Sequence, residues 1–259
     1  MSYPFYNDID ERLSASKPDY ISLHQDLLER IANVILNDEA LELWWRLAKV
    51  SYHLSLDVDY ENDEELFIRN MSQTRKYATK AVQSNPNDFE ANLWLCQSVG
   101  MMALFEANIQ IKYDLITQFM TSLNHCRRLN CQHSLIPFLE TRLEVALLVN
   151  VTNEEEEFLK RKPEFSHIYP INTDMVEMKL QNCLRLMPQS IDIHAILSFV
   201  FLSTGKKEEA VKVAEKGVKL ECTNKSESLM CSHMSDLISH MTIPQTGFPI
   251  RSRCLHHIR

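Results

Sequence analysis

The stretch SIDIHAILSFVFLSTGKKEEAVKVAEKGVKLECTN, residues 190–224, decides the fold. Ser190 follows Pro188 and offers a side-chain oxygen to the unpaired N–H groups of a helix start, and Asp192 falls in the first turn, where the helix dipole favours a negative charge. Ile193, Leu197, Val200 and Phe201 then recur at spacings of three and four, the signature of one helix face. Gly205 stands where a left-handed residue would close that helix. Beyond it, Glu208 and Glu209 open a second helix whose inner face runs Ala210, Ala214, Gly217 and Leu220. All but the last of these are small, so a neighbouring helix can approach closely. The stretch reads as a helical hairpin.

The order of large and small residues matches a tetratricopeptide repeat: Leu197, Ser198 and Phe201, then Ala210, Ala214 and Gly217, within the 34 residues from Ile191 to Asn224. His194 and Cys222 stand where that pattern usually has Trp and Pro. Working outward, LELWWRLAKVSYHLS supplies Trp44, Leu47 and Ala48 of a first helix, and YATKAVQSNPND supplies Ala78, Ala81 and Pro86 of its partner. The acidic DVDYENDEE lies between them as an insertion. Two further pairs are FEANLWLCQSVGMM with LITQFMTSLNHCRRL, and LIPFLETRLEVALLV with MVEMKLQNCLRLMP, again with surplus residues inside each pair. YISLHQDLLERIANVILND, with Ile21, Leu28, Ile31 and Ile35 on one face, reads as the cap that a repeat array needs at its end. The expected fold is all-α: tetratricopeptide-like hairpins in a right-handed superhelix, about nine helices in all. The expected organisation is an extension over 1–19, the repeat domain over 20–240 and an irregular basic tail over 241–259.

Composition agrees. A chain of 259 residues, 45% hydrophobic, buries a substantial core, and 4 Gly with 9 Pro leave little material for the tight turns of an all-β fold. The net charge of −8 excludes a general nucleic-acid binder, so any basic site must be local. Seven scattered Cys and a start, MSYPFYNDIDERL, with neither a basic nor an apolar leader region predict a reduced, cytoplasmic protein. VALLV at 145–149 and ILSFVFL at 196–202 fall far short of the roughly 20 residues that cross a bilayer, so no membrane span is expected.

The sequence contains no Gly-rich phosphate loop, no His-Glu-x-x-His pair and no Ser flanked by glycines. The expectation is a non-enzyme with no catalytic residue and no cofactor. His125, Cys126, Cys131 and His133 could ligate zinc chemically, but their spacing fits no zinc module and Cys126 falls on a packing face, so no metal is expected. DVDYENDEE lacks the glycine and the spaced final glutamate of a calcium loop and reads as a solvated linker. Lys212, Lys216 and Lys219 form a basic stripe on the last repeat, where Glu208 and Glu215 also support the helix at i,i+4. From Leu237 onward the chain has Arg251, Arg253 and Arg259 and no acid. These six residues are the candidate basic contacts.

In a hairpin array the first helices line the inner surface. On that side fall Trp45, Lys49 and Tyr52, then Leu93, Gln97 and Met101, then Phe199 and Leu202. They read either as an apolar groove for a peptide or for the acyl chains of a lipid, or as core covered by the insertions. Trp45 takes the place of the first lysine of a chaperone-type carboxylate clamp, so that clamp is not expected.

Taken together, ELWWRLAKVSYHLS, the charged insertion, YATKAVQSNPNDFEANLWLCQSVG, IQIKYDLITQFMTSLNHCRRL and GKKEEAVKVAEKGVKL resemble the regulator of microtubule dynamics proteins over roughly residues 40 to 222. The resemblance implies a compact tetratricopeptide-like fold, tubulin or a microtubule-associated protein as partner, a cytoskeletal location at spindles and spindle poles, and a part in chromosome segregation. LIPFLETRLEVALLV departs most, standing where related chains have a Leu-Gly-rich helix.

Overall fold

The regular elements run α1 (Asn7–Leu13), α2 (Tyr20–Asn33), α3 (Asn37–Leu56), α4 (Glu64–Ser84), α5 (Phe89–Phe105), α6 (Ile109–Leu129), α7 (Leu135–Val149), α8 (Asn153–Lys160), α9 (Thr173–Leu186), α10 (Ile191–Ser203), α11 (Lys207–Gly217) and α12 (Lys225–Thr242), with a 3-10 turn at Pro163–Phe165. This computed structural model describes residues 6–15, 17–34, 37–60, 62–149, 152–165 and 168–242, and among them there is no strand. The chain forms two compact units, Met1–Met102 with Gln118–Asn130, and Ala103–Thr117 with Cys131–Arg259.

In the first unit the Asp19 carboxylate accepts from the Ser22 N–H at 3.0 Å and starts the cap helix α2. Leu23 and Leu27 of α2 pack on Leu43, Leu47 and Val50 of α3. Of the apolar face expected for the cap, Ile31 joins this packing, Ile21 and Leu28 are exposed, and Ile35 lies outside the described residues. Tyr6, Ile9 and Leu13 belong to the same cluster, so the segment expected as an N-terminal extension carries a packed helix. At 7 residues α1 is too short to show a period. It also supplies an ion pair: the buried Arg46 donates from Nε and Nη2 to Asp10 at 2.8 and 2.6 Å and from Nη1 to Glu42 at 2.6 Å. A buried guanidinium is tolerated because its partners are complete.

Most of the residues surplus to the repeat pattern enter helices, and residues 57–63 of the acidic insertion stay between them. Asp63 accepts from the Leu66 N–H at 3.0 Å, which draws Glu64 and Glu65 into the first turn of α4. As a result α3 and α4 reach 20 and 21 residues. Likewise the Asn108 side-chain oxygen accepts from the N–H groups of Gln110 and Ile111 at 3.0 and 3.2 Å and starts α6 well ahead of LITQF. The enlarged loop expected inside the second pair is therefore replaced by longer helices, and in the first pair the loop is shortened to residues 57–63.

In the second unit the hairpin read from sequence forms as spaced. Ser190 Oγ accepts from the Ile193 N–H, and Gly205 takes φ 79° between α10 and α11. Ile193, Leu197 and Val200 of α10 share one cluster with Val176 and Leu180 of α9, Ala210 and Ala214 of α11, and Met234 and Leu237 of α12. A Cβ on Gly217 would lie 2.7 Å from Met234 Sδ and 2.8 Å from His194 Cβ, so only glycine admits this approach. The twelve helices among the described residues exceed the expected nine by α1, α8 and α12. NEEEEFLK, part of a charged insertion in sequence, becomes α8 because Thr152 and Glu155 close a reciprocal capping box.

Candidate functional site

Trp45, Lys49 and Tyr52 fall on α3, and Leu93, Gln97 and Met101 on α5. Tyr52, Leu93 and Met101 are buried, which makes them packing residues. Trp45 is half-buried, donates from its indole N–H to Glu42 at 3.1 Å and lies under the Arg46 guanidinium, 4.1 Å from its ring centre. Lys49 Nζ stands 5.9 Å from the Trp94 ring centre, and the Gln97 amide nitrogen is buried without a hydrogen-bond partner among the described residues. His53 completes this aromatic group, stacked on Tyr20 at 4.7 Å and 5.9 Å from Trp94. Burial, helped by the Lys49 charge, lowers its pKa to about 4. In the second unit, Phe199 and Leu202 are half-buried against the core of α9 to α12.

Of the candidate basic contacts, Lys212, Lys216 and Lys219 are exposed, while Arg251, Arg253 and Arg259 lie outside the described residues. The zinc-competent set separates by environment. Cys126 is buried, with its thiol pushed up to about 12 chiefly by desolvation, and Cys131 is exposed in the turn after α6. Among the described residues no group of three His, Cys, Asp or Glu side chains could hold a metal ion.

A site that sequence reasoning missed lies where α2, α3 and α4 meet. It is a cavity of about 210 Å³ walled by His24, Ser51, Arg69, Asn70, Gln73 and Tyr77, with Leu54 as its apolar side. None of these residues is acidic. Ser51 is only 3% exposed, and its hydroxyl has no hydrogen-bond partner among the described residues. Arg69 is exposed and forms no ion pair among the described residues. Burial moves His24 below and Tyr77 above its ordinary pKa, so both are neutral near pH 7 and Arg69 is the cavity's charge. Beside the cavity, Trp44 of α3 stacks on Tyr77 at 5.7 Å, and Lys80 of α4 holds its Nζ 4.0 Å above the Trp44 ring. One signal was open to a sequence reader: Leu66 to Ser84 holds Arg69, Arg75, Lys76 and Lys80 and no acid. The partners Ser51 and Asn70 carry no such mark.

A family profile described as Regulator of microtubule dynamics protein 1-3 matches residues 6–142, from the start of α1 into α7. No curated protein matches the chain. Among solved structures, a thermophilic TPR protein from Thermus thermophilus is similar with a TM-score of 0.54 at 14% identity, covering 83% of this chain and 90% of that one. At that identity the likeness is one of fold, and the fold is that of tetratricopeptide helical repeats. No described helix is long and apolar enough to cross a membrane.

Proposed function

The chain belongs to the regulator of microtubule dynamics protein family, and on that premise we propose that it is a non-enzymatic binding module acting on microtubules, with tubulin or a microtubule-associated protein as its partner. The observation that carries this reading is the extent of the family match. Residues 6–142 take in the cap helix, the first hairpin and the cavity between them. A hairpin-repeat scaffold suits such a role, because it presents side chains from several helices on rigid elements.

Charge constrains how the contact is made. A body of net charge −8 is repelled by the acidic surface of a microtubule, so attachment needs a locally basic element or an intermediary. The finer expectations follow from the family: a cytoplasmic protein that gathers on the spindle and its poles and serves chromosome segregation.

The test is co-sedimentation of the purified full chain with stabilised microtubules. Pelleting that falls as salt rises supports a direct electrostatic contact, since exposed charges are screened beyond about 8 Å at physiological ionic strength. A chain that stays in the supernatant at low salt contradicts direct binding. For the cellular role, a tagged chain should concentrate at spindle poles, and its depletion should produce lagging chromosomes. Normal segregation after complete depletion would refute that part.

A further inference from the structure

The cavity between α2, α3 and α4 has the chemistry of an anion site. It gathers a guanidinium, two carboxamides and a hydroxyl, with no acid in its wall. A buried hydroxyl without a partner costs stability unless a ligand or water satisfies it, and Ser51 is such a group. The cavity also shares Arg69, Gln73 and Tyr77 with a face of α4 that carries charge of a single sign. Arg69, Gln73, Lys76 with Tyr77, and Lys80 recur along α4 at spacings that keep them on one face, since eleven residues bring a helix back to within about 20° of its starting direction. Arg69, Gln73 and Lys76 are exposed, whereas Arg75 is drawn aside to the Gln118 carboxamide at 2.8 Å. On a chain of net charge −8, this strip is a local reversal of sign.

We propose that the cavity and the α4 strip form a docking site for an acidic peptide segment, one glutamate or aspartate carboxylate entering beside Arg69, Asn70 and Ser51 while further carboxylates lie along Lys76 and Lys80. This rests on the reading of the chain as a binding module and names the chemistry of what it holds. The guanidinium favours a carboxylate because its planar fork donates two parallel hydrogen bonds. The spaced lysines favour a run of acids over a single one, by linking several weak contacts. The site differs from a chaperone-type carboxylate clamp, which would use the first helix of the repeat, where Trp45 replaces the lysine.

The experiment is fluorescence anisotropy of labelled decaglutamate titrated with the full chain at low and at physiological salt. The expected result is saturable binding that weakens with salt. Arg69→Gln should weaken it about tenfold, the loss of one charge-assisted contact. The paired change Lys76→Gln and Lys80→Gln should weaken it severalfold, with unchanged far-UV circular dichroism in each variant. The triple change Lys212→Gln, Lys216→Gln and Lys219→Gln should leave the affinity as it was. Absence of saturable binding, an equal loss from the triple change, or free glutamate binding as tightly as the decapeptide would each overturn the proposal. Microtubule co-sedimentation of the same proteins separates this site from the broader function. If Arg69→Gln binds decaglutamate and pellets like the wild type, the docking site is wrong and the microtubule role stands. If decaglutamate binds through Arg69 yet nothing pellets, the docking site stands and the microtubule role falls.

Discussion

The first hairpin, α3 with α4, and the last, α10 with α11, descend from one repeat pattern but satisfy their side chains differently. The last is short, 13 and 11 residues, turned on Gly205 and closed by Ala210, Ala214 and Gly217. Its charges alternate in sign, Glu208, Glu209 and Glu215 among Lys212 and Lys216. The first is 20 and 21 residues, buries the ion-paired Arg46, leaves the Ser51 hydroxyl unsatisfied and carries one sign of charge along most of α4. Where the pattern is kept, polar groups balance one another and the helices only pack. Where it is lengthened, unbalanced groups collect, and those are the groups a partner can satisfy.

The contrast can be broken at several points. The largest effect should come from deleting residues 1–19, which removes Tyr6, Ile9 and Leu13 from the first unit's core and Asp10 from Arg46. Burial of three large side chains and loss of a partner from a buried charge set the expected cost at about 5 kcal/mol, read as a lowered urea midpoint. An unchanged midpoint would return this segment to a mere extension. Next, Gly217→Leu drives a side chain into His194 Cβ and Met234 and should cost about 3 kcal/mol in the same assay.

Acid should separate the two regions through His53. Its pKa of about 4 in the folded chain lies below the ordinary 6.5, so the unfolded chain binds the proton more readily between those values. The stability tied to neutral His53 is full above pH 6.5 and is lost as pH falls toward 4, on the order of 2 kcal/mol by pH 4.5. His53→Phe, which keeps the ring against Tyr20 and Trp94, should flatten that part of the profile. A profile unchanged by the substitution would show that His53 is not the group responsible. The smallest effect belongs to Gly205→Ala, where φ is 79° but no atom lies within 4 Å of an added Cβ: about 1 kcal/mol, from backbone strain alone.

Much of the fold was legible because the α10–α11 hairpin states its helix start, its turn and its close-packed face in consecutive residues. Helix α1 was too short to show a period, and α8 was hidden because a run of glutamates reads as solvated charge whether or not it is helical. Helix α12 buries Met234 and Leu237 amid serines and histidines that mask its face. Apolar spacing cannot separate a groove from a core, and Tyr52, Leu93 and Met101 lie in the core. The cavity was illegible for another reason: Ser51, Arg69 and His24 come from three helices and meet only when those helices pack.

Hydrogen–deuterium exchange of the full chain with and without saturating microtubules tests most directly the claim that the first hairpin holds the partner and the last holds the fold. The account predicts added protection over residues 64–84 and the facing part of α2, with α10 and α11 unchanged. Protection confined to residues 190–224, or none in α4, would contradict it.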